Sequence, residues 1–172
     1  MKISQSLPQF VRIKALLVVS GDQSAQFYVC QKGDIKLSER FAIPKPTYED
    51  REGFSMRSGH GRMFSSGSAL KDFKNYIQQK FSKKLAVSVR DILKAENIGE
   101  IFLFSPQYAA GFILSKWPKY ATGMMRMCVW GNFIDSHPLD LLKKIQEVYE
   151  ESLGMKVPRS REAIKILDKA RS

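Results

Sequence analysis

The sequence predicts a single α/β domain built on a mixed β-sheet of about five strands with packed helices. Three observations carry that prediction. Three short apolar or alternating runs, separated by tight turn signals, open the chain between Lys14 and Ile43. A long stretch with apolar residues at steps of three and four follows from Leu70. Two further apolar runs then alternate with helical patterns up to Leu153. Strands in sequence followed by strand–helix alternation give an antiparallel meander that continues into parallel pairing.

The elements follow in order. "KALLVVSGD" reads as a buried strand over Lys14–Ser20 that closes in a Gly21-Asp22 turn. "AQFYVCQ" is a second strand, and "KGD" at Lys32–Asp34 is a hairpin turn. "IKLSERFAI" alternates as a third strand and stops at Pro44 and Pro46. A polar connection covers roughly Pro44–Ser68, a length that in a compact domain usually carries function. From there Leu70, Phe73, Ile77, Phe81, Leu85, Val89 and Ile92 mark one amphipathic helix. Ser68 is its expected N-cap, and Asn97-Ile98-Gly99 its stop. "EIFLFS" is the fourth strand, and "PQYAAGFILSKW" a short helix with Pro106 in its first turn. "MMRMCVW" is the fifth strand. "HPLDLLKKIQEVYEESL" is a helix that opens at Pro138, with His137 expected to cap it. One domain is expected over 1–153. The remainder, 154–172, reads as a linker and a short basic helix capped by Ser160.

The chain has 172 residues, 44% of them hydrophobic and 11% aromatic, which suits a folded globule and excludes a disordered tail. Cys30 and Cys128 lie far apart in apolar runs and are expected as buried, reduced thiols. Arg12 and Lys14 interrupt the first apolar stretch, so no secretory signal is expected. No apolar run reaches the ~20 residues of a membrane span. A cytoplasmic protein is the expectation.

Charge is the strongest compositional signal. The formal net charge is +11, and it is clustered. Residues 57–94 hold nine Lys/Arg against two acids, and residues 156–171 hold six against two. The rest balances. Such clusters point to a polyanionic partner. The expected nucleic-acid contacts are Arg57, His60 and Arg62 in the connection, and Lys71, Lys74, Lys80, Lys83, Arg90 and Lys94 on the long helix. Lys80, Lys83, Arg90 and Lys94 fall on one helical stripe opposite the apolar one. The glycine- and serine-rich stretch "RSGHGRMFSSGSAL" is open to two readings, a flexible connector or a loop that holds phosphate through its N–H groups.

Tests for chemistry return little. The glycine loop lacks the Walker pattern and the dinucleotide-binding spacing. Two histidines, His60 and His137, are too few for a zinc site, so no metal and no cofactor is expected. Carboxylates are scarce in the basic half, which argues against a two-metal nuclease core. "SSGSA" is not a nucleophile elbow. Asp22, Asp50 and Asp135 fit turn chemistry. Among aromatics beside the basic stripe, Phe54 and Phe64 are expected at the surface, and Tyr108, Trp117 and Tyr120 in the core.

Four segments, "LLVVSGDQSAQFYV", "EDREGF", "IFLFSPQYAAGF" and "VWGNFIDSHPLDLLKKI", together resemble the bacterial host attachment protein family over roughly residues 14–146. That family is similar to the middle domain of the eukaryotic and archaeal class-one release factors and of Pelota. The resemblance implies a release-factor-like α/β layer. Gly61-Arg62 and Ser68-Ala69-Leu70 look like the frame around the catalytic loop of release factors, and Leu70–Lys94 looks like their long basic helix. Ser66-Gly67-Ser68 stands where Gly-Gly-Gln is expected, so the glutamine that positions water has no counterpart. The resemblance therefore implies a non-catalytic protein that binds the ribosome, structured RNA or tRNA. Two other readings remain open, an interaction protein in host-cell attachment and an ester or peptidyl-tRNA hydrolase using His60 or a loop serine. A homo-oligomer is compatible with all three.

Overall fold

The computed structural model describes residues 1–44 and 67–153, with side chains of the long helix described from residue 75 onward. Its elements are β1 (Ala15–Ser20), β2 (Ser24–Gln31), β3 (Asp34–Ala42), α1 (Gly67–Ala95), β4 (Glu100–Ser105), α2 (Gln107–Leu114), α3 (Lys119–Gly123), β5 (Met125–Trp130) and α4 (Pro138–Ser152). The five strands form one sheet in the order β3-β2-β1-β4-β5. β1–β2 and β2–β3 are antiparallel, whereas β1–β4 and β4–β5 are parallel. This is the expected mixed sheet, with the meander on one side and the parallel half on the other.

Each strand's composition follows from its place. β1 is central, and all six of its residues are buried, which is why its sequence is an unbroken apolar run. β3 is an edge, and it alternates with exposed Lys36, Ser38 and Arg40. The β2–β3 turn uses Lys32 and Gly33, both with positive φ (49° and 78°). That backbone matches the twist of a two-residue hairpin. A Cβ on Gly33 would also sit 2.8 Å from the Gln9 side-chain oxygen, which can swing aside, so it is the positive φ that favours glycine there.

Alternate residues of β1 feed two cores. Leu16 and Val18 pack with Ile77, Phe81, Leu85 and Val89 of α1, with Ile113 of α2 and with Trp117. Leu17 and Val19 pack on the other face with Leu141, Leu142 and Ile145 of α4 and with Ile3 from the N-terminal segment. The sheet is thus sandwiched between α1–α3 and α4. Ser88 of α1 donates to Glu39 of β3 at 2.8 Å, and Lys14 pairs at 2.6 Å with Glu96, the residue that follows the helix.

Three details differ from the sequence reading. The short helix expected over Pro106–Trp117 is α2, which ends at Leu114, and a further helix, α3, follows Pro118 where none was read. Proline just ahead of the first turn suits the start of that new helix. α1 starts at Gly67, one residue ahead of the expected cap at Ser68. The N-terminal segment, read without structure, bridges the hairpin through Lys2 and Asp34 and buries Ile3. Cys30 and Cys128 are free; burial pushes the Cys30 thiol up to about 12 and raises the half-buried Cys128 as well. His137 accepts from the Leu139 N–H at 3.3 Å, the expected cap of α4.

Candidate nucleic-acid interface

The apolar spacing of α1 decides which of its side chains reach solvent. Ile77, Phe81, Leu85, Val89 and Ile92 are buried on the sheet. The opposite face must then carry Tyr76, Lys80, Lys83, Val87, Arg90 and Lys94, and all six are exposed. Successive members stand three or four residues apart, so they form one continuous line along the helix surface. Among the described residues, Arg90 alone of the four cations has an acidic partner, Asp91 at 3.3 Å, and both side chains are about half exposed. Such a pair is weak and competes poorly with a phosphate. Lys84 is different. Its ammonium lies 4.5 Å from the centre of the Phe41 ring, which ties it to β3 and takes it out of the line.

The line borders a groove of about 460 Å³ between α1 and the α2–α3 corner. Lys83, Val87 and Arg90 form one wall, and Lys116, Trp117 and Pro118 the other. Trp117 is 6% exposed, and its indole N–H has no hydrogen-bond partner among the described residues. Lys116 is exposed. It is the functional candidate that the sequence reading missed; its signal was a lysine beside Trp-Pro in a stretch read as one helix. Cations on both walls with an apolar floor suit a phosphodiester chain.

Of the other expected contacts, Arg57, His60 and Arg62 lie outside the described residues, as do Phe54, Phe64 and the basic helix of the C-terminal stretch. Lys71 and Lys74 lie on α1, ahead of the residues whose side chains are described. Trp117 is in the core as expected. Tyr108 and Tyr120 are not: they are 69% and 53% exposed. Tyr108 sits in the first turn of α2, where the buried positions are Ala110 and Ile113, so its ring is left outside. Its hydroxyl donates to Asp22, which raises the phenol above its ordinary value. Among the described residues, no group of three His, Cys, Asp or Glu side chains could hold a metal. No described helix is long and apolar enough to cross a membrane.

No family model matches the chain, and no curated protein matches it. The host attachment resemblance therefore rests on the quoted residues alone. Among solved structures, the chain is similar to an archaeal translation termination factor, with 5% identity and a TM-score of 0.44 over 83% of this chain and 42% of the other. It is also similar to the S. cerevisiae translation termination-like factor involved in RNA quality control pathways, with 15% identity and a TM-score of 0.42 over 82% and 37%. The chain thus spans about two-fifths of the length of each. These likenesses concern the course of the backbone alone.

Proposed function

We propose that this protein is a non-catalytic RNA-binding protein that acts at the ribosome. It lays RNA phosphates along α1 through Lys80, Lys83, Arg90 and Lys94, aided by Lys71 and Lys74 of the same helix and by Arg57, His60 and Arg62 of the connection. The observation that carries the reading is the basic line on α1 faced by Lys116 across a groove. Lys83, Arg90 and Lys116 border the groove and Lys80 and Lys94 continue the row along α1, a concentration of like charge that is costly as mutual repulsion unless a polyanion offsets it. The release-factor-like segments of the sequence support the ribosome as the RNA's host, and Ser66-Gly67-Ser68 at the Gly-Gly-Gln position supports the non-catalytic part of the reading.

Sedimentation with ribosomes through sucrose tests this at low and moderate salt. Five phosphate contacts predict that log K falls with log salt at a slope of about −3.5 to −4.5. Reversing Lys80, Lys83 and Arg90 together to glutamate should remove co-sedimentation. Affinity unchanged by the triple reversal would sink the assignment. A protein that stays at the top at both salts would redirect the search to protein partners and the attachment reading.

A further inference from the structure

The carboxyl ends of β1, β4 and β5 meet at one edge of the sheet. There the chain departs to opposite faces, into α2 after β4 and towards α4 after β5. Such a point in a parallel sheet opens a crevice. Here the crevice measures about 680 Å³. Its walls are the Gly21–Ser24 turn, the Pro106–Tyr108 start of α2 and the Trp130–Asn132 turn. Gly131, at φ 149°, donates to the Ser105 carbonyl at 3.0 Å and holds the end of β5 beside that of β4.

Two aromatic rings, Tyr108 and Trp130, stand at the rim; Trp130 is 49% exposed. The Asp22 carboxylate lies in the wall and accepts from Tyr108. The Gln23 side-chain oxygen is buried and has no partner among the described residues. α2 starts at Pro106 without a side-chain cap. The crevice therefore offers acceptors on one wall, N–H groups of a helix start on another and flat rings above.

Charge decides what fits. None of the lining residues is Lys or Arg, and the Asp22 carboxylate is one of them, so no side chain compensates an anionic group inside. The chain carries a net +11, which opposes a free cation. What remains is an uncharged, planar, donor-rich ring. Guanine alone among the bases sets an imino and an amino N–H side by side for a carboxylate, with a carbonyl oxygen next to them for N–H donors. We propose that this crevice binds a guanine base, stacked on Trp130 and Tyr108 and read by Asp22, either as a free nucleotide or as an unpaired base in RNA. The site does not depend on the phosphate line of α1.

The test uses the full chain and two charge-matched nucleotides, GMP and AMP, followed by calorimetry and by the fluorescence of Trp130. Trp117, the other indole, is buried and should report little. GMP should bind saturably and about ten-fold tighter than AMP, the discrimination of one bidentate pair. Asp22→Asn should erase the preference, and Trp130→Ala should weaken both nucleotides. Tyr108→Phe keeps the ring but frees the carboxylate, so GMP should bind as well or better. A single-stranded oligonucleotide with one guanine, against its adenine counterpart, separates the two sources: preference in GMP means a nucleotide site, and preference in the oligonucleotide alone an RNA site. Equal binding of guanine and adenine in both forms, or a preference that survives Asp22→Asn, would overturn the proposal.

Discussion

The outer line of α1 and the crevice at the sheet's carboxyl edge are opposites. The line is convex, basic and regular, and its members are spaced by helix geometry alone. The crevice is concave, holds no cation in its walls, and gathers residues from positions 21–24, 106–108 and 130–132. A regular row of charges suits a repeating polymer such as a phosphate backbone, where register matters little. A pocket with one carboxylate and two rings suits one small shape. In the proposed reading, the contrast assigns affinity to α1 and selectivity to the crevice.

The largest effect should come from removing what holds α1 to the sheet. Phe81 is 3% exposed and packs on Phe41 with ring centres 5.7 Å apart. Phe81→Ala should cost about 3–5 kcal/mol of stability in urea unfolding. It should weaken phosphate binding more than GMP binding, since the walls of the crevice do not include α1. Next is the triple reversal of Lys80, Lys83 and Arg90. It should abolish salt-sensitive RNA binding and leave the GMP/AMP ratio intact. A ratio that collapses with it would merge the two regions into one site. Lys116→Ala is smaller, a slope change of about 0.7–0.9 with unchanged unfolding, and it tests whether the second wall of the groove takes part.

The smallest effect concerns pH. The hydrogen bond and charge of Lys14 hold the Glu96 carboxyl below the usual glutamate range. A depressed folded-state value means that stability is gained above the unfolded value and lost as pH falls through the folded one. Glu96→Gln should therefore lower the unfolding midpoint slightly at neutral pH and not at all in acid below that range. Because Glu96 is partly open to solvent, salt should shrink the difference. Nucleotide preference should not follow it, because Glu96 lies at the amino ends of β1 and β4.

How much was readable in advance depends on the range of the interaction. The Lys32-Gly33 hairpin, the β1 run and the α1 periodicity are local signals, and each appears where its residues placed it. The basic line on α1 was readable for the same reason: once Ile77, Phe81 and Leu85 are buried, helix geometry leaves the lysines no other face. Tyr108 and Tyr120 were misplaced because a short helix with small residues on several sides does not show which side meets the sheet. Lys116 was missed because the break at Trp117-Pro118 turns the chain back towards α1, and only the packed corner makes the two neighbours.

The sequence by itself determined the five strands, the helices α1, α2 and α4, their order, the hairpin and the charged face of the long helix, since these follow from backbone preferences and from burial within one element. The tertiary structure alone decided that β4 lies beside β1, in parallel, with Ala15 opposite Glu100. It also decided that Asp22 meets Tyr108 from 86 residues away. Such pairings have no local signature, because the energy that selects them is the burial of both sheet faces at once, and that exists only when the whole domain has closed.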